Sequence, residues 1–287
     1  MTHYIPFHKP YTDHLESEAI QKVLQTGVLR GDGPTSRQAQ SILTEALKVR
    51  SLFLTTSCTH ALEIAMMCLD LKAGDEVIMP SFTFVSTANA VVIHGGRPVF
   101  ADIDEKTFNI SPKSIRELIT DKTKAIIPVH FGGAPANMNE IMKIAKEFNL
   151  KVIEDAAQAQ GASISGKRVG AIGDAGTFSF QLSKNMTAGE GGAIVTDNDD
   201  IAEKAFSFHN CGRKVGHPWY YHFQMGGNFR LSEFQAAVLM AQLEREELNL
   251  KIRRNNAKYL DEVLSSLDGI EPVIYPNEIE SSYYLYV

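Results

Sequence analysis

The stretch Gly176-Thr-Phe-Ser-Phe-Gln-Leu-Ser-Lys184-Asn-Met-Thr-Ala-Gly-Glu-Gly-Gly192 decides how this chain folds. Residues 177–180 read as a buried strand, residues 188–192 as a tight glycine turn, and Ala193-Ile-Val-Thr196 as a second strand. Lys184 lies between the two strands, downstream of Ser179. A single lysine is ordinarily a solvated surface charge. Further upstream, however, Val152-Ile-Glu-Asp155-Ala-Ala-Gln158 gives an apolar strand that ends in an acid. A lysine able to form a Schiff base and an acid able to keep a pyridine nitrogen protonated are the pair that pyridoxal 5'-phosphate (PLP) chemistry requires.

Working outward, Leu52-Phe-Leu54, Glu76-Val-Ile-Met79, Pro98-Val-Phe100, Lys124-Ala-Ile-Ile-Pro128 and Lys151-Val-Ile153 read as short strands. Helical patterns over 61–71, 115–118 and 139–148 fall between them. This alternation predicts an α/β fold whose mostly parallel sheet has helices on both faces. Ligands then bind beyond the carboxyl ends of the strands, where Asp155 and Lys184 stand. The run 231–264 reads as one long helix, opened by a capping box at Ser232 and Gln235. The expected division is a large domain over 1–250, with its N-terminal segment, and a linker helix leading into a second domain over 251–287. Ser281-Ser-Tyr-Tyr-Leu-Tyr-Val287 reads as the first strand of that second domain.

Composition narrows the function classes. The 287 residues are 44% hydrophobic and 22% charged, which is ordinary for a globular enzyme domain. A net charge of -6 argues against a nucleic-acid surface. No stretch has the apolar length of a membrane span, and the N-terminus has no apolar signal core, so a cytoplasmic location is expected. Cys58, Cys68 and Cys211 are too widely spaced for a disulfide framework or a zinc site. In that compartment the sequons at Asn109 and Asn185 are chance matches. Glycine-rich nucleotide motifs are absent: there is no GxGxxG, and Gly189-Glu-Gly-Gly192 lacks the lysine-serine pair of a phosphate loop.

Five motifs stand in a particular order: Glu154-Asp-Ala-Ala-Gln158, Phe178-Ser-Phe180 with Lys184, Gly189-Glu-Gly-Gly192, Asn228-Phe-Arg230, and Glu233-Phe-Gln-Ala-Ala237. In this order they resemble the sugar aminotransferases of the DegT/DnrJ/EryC1/StrS family. The resemblance runs from Ile5-Pro-Phe7 to Tyr283. It implies a PLP fold-type I enzyme that moves an amino group from glutamate or glutamine to a nucleotide-linked keto-sugar. A keto-cyclitol acceptor is the alternative, and a catalytically silent PLP-binding fragment or partner is a third reading. Retention of Lys184 disfavours the dehydratase relatives in which histidine replaces the lysine.

Residue by residue, the resemblance makes Lys184 the cofactor's attachment point and proton carrier. Asp155 would hold the ring nitrogen, Gln158 the ring hydroxyl, and Phe84 a face of the ring. Cys58, Thr59 and Ser179 would surround the phosphate, and a helix N-terminus after Thr55-Thr-Ser57 suits an anion independently of any resemblance. Plainer readings stand beside these: Ser57 or Thr59 as a helix cap, Phe84 as a core side chain, Asp155 as a cap. Asn228 would reach into a neighbouring subunit, which implies a homodimer with shared active sites. Arg230 is expected as an ion-pair partner, and His130 as a buried, satisfied histidine. Gly31-Asp-Gly33 is either a loop near the substrate or merely a turn. His209, His217 and His222 read as one cluster with Trp219-Tyr-Tyr221 in a loop over the site or at an interface. Family members continue past Val287, so a truncated chain is expected: one that dimerises and binds PLP weakly, turns over poorly, and leaves the apolar strand Tyr283-Tyr-Leu-Tyr-Val287 unpaired.

Overall fold

The computed structural model describes residue 6 and residues 8–287. Ile5 and Phe7, where the resemblance begins, lie outside the described residues. In chain order, α1 (His14–Thr26) and α2 (Pro34–Leu47) lead into β1 (Ser51–Thr55). Alternation follows: α3 (Cys58–Leu69), β2 (Glu76–Pro80), α4 (Val85–Ile93), β3 (Arg97–Ala101), α5 (Pro112–Leu118), β4 (Thr123–Ile126), α6 (Met138–Phe148) and β5 (Lys151–Asp155). A small hairpin, β6 (Ser163–Ile164) and β7 (Lys167–Arg168), precedes β8 (Ala175–Ser179) and β9 (Gly192–Thr196). The chain closes with α7 (Asp199–His209), α8 (Glu233–Leu243), α9 (Glu246–Leu264) and β10 (Ile279–Glu280).

Seven strands form one sheet in the order β1-β9-β8-β5-β4-β2-β3. The neighbours from β3 across to β8 pair in parallel. Only β9 runs against them, between β8 and β1. The mostly parallel α/β fold expected from the alternation is therefore present. Because β9 reverses direction directly after β8, the connecting loop 180–191, with Lys184 in it, lies at the same edge as the carboxyl ends of β5 and β8.

Burial explains why these segments are strands. β2, β8 and β9 are buried at every position, as strands covered on both faces must be. α6 is one-sided, with Met138, Ile141, Ile144 and Ala145 turned to the sheet. α3 is buried almost all round, through Ala61, Leu62, Ile64, Ala65 and Met66, and is pinned with its N-terminus against the strand ends. Each of the large side chains here, Leu62, Ile64 and Met66 among them, contributes about 1.5–3 kcal/mol on leaving water. That anchoring fixes where the first turn of α3 stands.

Two expectations change. The run 231–264 is two helices, broken at Glu244 and Arg245. No glycine or proline marks the break. Arg245 turns its side chain back to α1, pairing with Asp13 at 2.6 Å and with Glu16, while Gln242 donates to the Tyr11 carbonyl at 2.8 Å. A tertiary ion-pair network thus overrides local helix propensity. The capping box at Ser232 and Gln235 is present. The second change concerns 281–287, which is not a strand. β10 pairs instead with β6, and the following segment docks on the turn at Gly132 and Gly133. The Ser282 N–H donates to the Gly133 carbonyl at 2.9 Å, and Leu285 N–H to Gly132 at 3.0 Å. Ser281 and Ser282 are buried. The backbone expected to be left unpaired there is satisfied at these positions.

Candidate active site

The strand ends converge on a cleft of about 490 Å³. Cys58, Thr59, Phe84, Asp155, Gln158, Ser179 and Lys184 all line it. Asn228 does not. It is exposed, on the chain that returns from the 211–227 loop, and is bridged to Asn210.

At one end stands the first turn of α3. Ser57 is its cap, accepting from the His60 N–H at 3.1 Å. Thr59 is therefore not the cap, and its hydroxyl pairs with that of Ser86 at 2.7 Å. Burial pushes the Cys58 thiol well above its ordinary range, so it packs as a neutral group. Gly192 lets β9 pass beneath this turn, since a Cβ there would lie 2.5 Å from the Cys58 nitrogen.

At the other end Asp155 closes β5. Its carboxylate accepts from the Thr87 hydroxyl at 2.8 Å and the Ala157 N–H at 3.2 Å. Thr83 pairs with Thr87 at 2.8 Å, extending this chain toward the cleft wall. Burial pushes the Asp155 carboxyl above its ordinary value, against Thr87, Ala157 and the positive charge of Lys184, which hold it down.

Glu154 points to the opposite face of the strand, as alternation demands. One carboxylate oxygen accepts from His130 Nε2 at 2.9 Å and Gly170 N–H at 2.8 Å. The other accepts from the Ile172 and Gly173 N–H groups, each at 2.7 Å. His130 Nδ1 accepts the Ala136 N–H at 3.0 Å, so the ring proton sits on Nε2 and is donated to Glu154. The His130 N–H also donates to the Asp155 carbonyl at 3.1 Å. This frame fixes the strand end from which Asp155 projects.

Lys184 lies between the two ends, in a turn closed by its own N–H to the Gln181 carbonyl at 2.9 Å. Its Nζ sits 4.4 Å from the centre of the Tyr284 ring. Tyr284 Oη meets Ser183 Oγ at 3.1 Å, and Asn185 donates to the Ser282 carbonyl at 2.8 Å. The docked 281–287 segment thus forms one wall around the lysine. Gln158 accepts the Gly132 N–H at 2.8 Å, and Gln160 donates to the Ser179 carbonyl. Phe84 is 69% exposed, which rules out its reading as a core side chain.

The donor set fits PLP. Asp155 is buried beside the cleft with no arginine or lysine hydrogen-bonded to it among the described residues, so an N–H cation within the cleft completes it. Hydroxyls and a helix N-terminus stand opposite, with an amine between. Asp155 would hold the ring nitrogen, Cys58, Thr59 and Ser179 the phosphate, Phe84 and Gln158 the ring, and Lys184 the covalent link. Among the described residues no group of histidines, cysteines and acids forms a metal site.

Several residues depart from their expected settings. His209 is buried at the end of α7, bonded to the Leu54 carbonyl at 2.8 Å and pushed down to about 4 by burial. It is separate from the exposed loop that carries His217 and His222. Arg230 makes no ion pair among the described residues. It donates to Asn210 and lies 5.9 Å from the Trp219 ring. Gly31-Asp-Gly33 packs on the start of α8, where Glu233 accepts from Ser36, and does not line the cleft. His130 is satisfied, as expected. Thr87, Glu154 and Tyr284 escaped the sequence reading as site residues. Only Thr87 had a signal, one helical turn beyond Phe84.

Comparisons with known proteins bear on the family and the fold. The model of the DegT/DnrJ/EryC1/StrS aminotransferase family matches residues 10–287. The chain is 41% identical over 219 residues to the 3-amino-5-hydroxybenzoate synthase of Amycolatopsis mediterranei, covering 76% of this chain and 56% of that protein. It is 35% identical to the GDP-perosamine synthase of Escherichia coli O157:H7, covering 92% and 72%. The crystal structure of the aminotransferase TlmJ from Streptoalloteichus hindustanus superposes with a TM-score of 0.93 at 30% identity, covering 99% of this chain and 78% of that one. The chain thus spans between 56 and 72% of the length of these two sequence relatives. It belongs to the DegT/DnrJ/EryC1/StrS aminotransferase family of PLP-dependent, fold-type I transaminases.

Proposed function

We propose that this protein transfers an amino group from glutamate or glutamine to the keto group of a nucleotide-linked sugar, in polysaccharide or aminosugar biosynthesis. The observation that carries the proposal is the single cleft in which Lys184 lies between a buried Asp155 and the first turn of α3. When bound, PLP supplies a carbonyl that exchanges between amines and a ring that draws off electron density. The protein's part is to hold and orient. Asp155 keeps a positive charge on the ring nitrogen, and Thr87 fixes which way that carboxylate points. Lys184 Nζ would anchor the cofactor and, once freed, take up the proton that leaves the donor's α-carbon in the first half-reaction and supply the proton that the acceptor carbon gains in the second. The 281–287 segment keeps water from one side of the amine.

The sugar acceptor draws on similarity to the GDP-perosamine synthase and to the spore coat polysaccharide biosynthesis protein SpsC of Bacillus subtilis, 33% identical over 99% of this chain. A keto-cyclitol acceptor is the second reading. It draws on similarity to the 3-amino-5-hydroxybenzoate synthase, whose named product is not an amino sugar. We further propose that two copies assemble so that Asn228, exposed and outside its own cleft, completes the partner's phosphate site. A cytoplasmic location belongs to the same proposal. No helix among the described residues is long and apolar enough to cross a membrane.

The test loads the chain with PLP, reduces it with borohydride and maps the label by mass spectrometry. L-glutamate and glutamine are then offered as donors and a panel of nucleotide keto-sugars and keto-cyclitols as acceptors. A label on the Lys184 peptide with 2-oxoglutarate formed from glutamate supports the reading. A label on another lysine overturns it, and a label on Lys184 with no transfer from either donor leaves the silent PLP-binding protein. Sedimentation as a monomer at working concentration removes the shared-site proposal.

A further inference from the structure

Lys184 faces a second chamber on its other side. This cavity, about 660 Å³, shares Gln181, Ser183, Lys184 and Tyr284 with the cofactor cleft. Its outer wall is α9, which presents Asn249, Arg253 and Asn256 to it. These positions are spaced i, i+4 and i+7, one stripe of a helix. The adjoining stripe of α9, Leu250 and Ala257, is the one buried against the protein. Helix α9 therefore carries two working faces, one apolar for packing and one, mostly polar but including Ile252, toward this open-sided chamber.

The chamber's charge is one-sided. Lys9 and Arg253 line it, and among the described residues no aspartate or glutamate does. Arg253 donates to the Tyr283 carbonyl at 3.1 Å, which uses one of its five N–H groups. Burial pushes its guanidinium down from the usual arginine range, and the titratable group acting on it is the Tyr284 phenol rather than a carboxylate. Among the described residues no carboxylate pairs with this half-buried guanidinium, which is costly to keep unless an anion joins it.

On this geometry, and resting on the aminotransferase reading, we infer that the chamber bounded by Lys9 and the Asn249–Arg253–Asn256 stripe binds an oxyanion of a substrate and so delivers the reacting carbon to Lys184. The shared chemistry is a planar or tetrahedral oxyanion held by a guanidinium fork and carboxamides. Its two sources are the carboxylates of the amino-acid donor and the diphosphate of the acceptor nucleotide.

The experiment titrates the PLP-loaded and the cofactor-free chain calorimetrically with L-glutamate and 2-oxoglutarate in one arm, and with UDP, GDP and dTDP in the other. Wild type is compared with Arg253→Met, Arg253→Lys and Asn249→Ala. Losing a charge-assisted hydrogen bond weakens affinity by about tenfold or more. We therefore expect at least that loss in Arg253→Met, partial recovery in Arg253→Lys and a smaller loss in Asn249→Ala. A loss confined to the dicarboxylates assigns the donor, and a loss confined to the nucleotides assigns the acceptor. Asn249→Ala guards against a merely loosened 281–287 segment, because among the described residues no hydrogen bond of its side chain holds that segment. The inference is overturned if wild type binds neither class, or if Arg253→Met binds both as wild type does. Borohydride labelling of Lys184 is run on the same samples. Intact labelling with unchanged probe affinities sinks only the chamber, whereas a wild type that fails to label at Lys184 sinks the reading beneath it.

Discussion

Replacing Glu154 by glutamine tests how the cofactor end of the cleft is held. The carboxylate accepts four hydrogen bonds, two on each oxygen, at 2.7 to 2.9 Å. Glutamine keeps one oxygen and offers N–H donors where the other stood. Two of the four partners then face a donor in a dry interior. Each orphaned donor costs about 1–3 kcal/mol, so the variant should lose about 2–6 kcal/mol, a large share of a typical stability of about 5–15 kcal/mol. Urea unfolding followed by circular dichroism measures this on the chain without cofactor. A control is Glu147→Gln, which removes the half-exposed ion pair with Arg116 and should change stability by less than about 1 kcal/mol.

The same site carries a pH signature. Burial alone would raise the Glu154 carboxyl, yet His130 and the Gly173 and Gly170 N–H groups hold it below its ordinary value. A depressed folded value stabilises the fold above the unfolded glutamate value of about 4.3, and that contribution is lost as pH falls through the lower folded value. Wild type should therefore lose stability below about pH 4.3, and Glu154→Gln should lack this component of the acid slope. A variant within 1 kcal/mol of wild type, by the same urea assay, would refute the argument that these four bonds hold the strand end.

Three further outcomes follow from the site. Asp155→Asn should retain PLP, read by its absorbance, while glutamate half-reaction turnover falls roughly 100-fold or more, because the charge aimed at the ring nitrogen is gone; near-normal turnover would make Asp155 structural. Gly133→Ala places a Cβ 2.6 Å from Ser282 Oγ at a φ of +95°. Exchange of the Ser282 and Leu285 amides should accelerate roughly tenfold or more by hydrogen-exchange mass spectrometry. Gly192→Ala drives a Cβ to 2.5 Å from the Cys58 nitrogen, so melting temperature and PLP affinity should fall together.

The sequence was most readable where one physical rule acted alone. Buried parallel strands such as Lys151–Asp155 announce themselves as apolar runs, and an acid or a lysine just past such a run lies at a strand's carboxyl end. The Ser232–Gln235 cap was legible because capping is local. The break at Glu244 and Arg245 was not, because it is set by Asp13 and Glu16, more than 200 residues away. Helix α4 was missed because Val85-Ser-Thr-Ala-Asn-Ala-Val-Val-Ile93 is rich in β-branched residues, and packing rather than propensity makes it helical. Thr87 and Tyr284 were missed as site residues for a related reason: a hydroxyl on Asp155 and a ring on Lys184 are contacts of the folded chain alone.

The docking of residues 281–285 has a consequence in time. Asn185 grips the Ser282 carbonyl, and Gly133 accepts from the Ser282 N–H, across chain separations of 97 and 149 residues. During synthesis at about 5–20 residues per second, the Lys184 turn leaves the ribosome roughly 5 to 20 s before its wall exists. Over that interval the amine stands open to any aldehyde in the surroundings. The cofactor cleft is thus sealed well after its lysine has been made, and premature reaction at Lys184 is a hazard of biogenesis rather than of the finished fold.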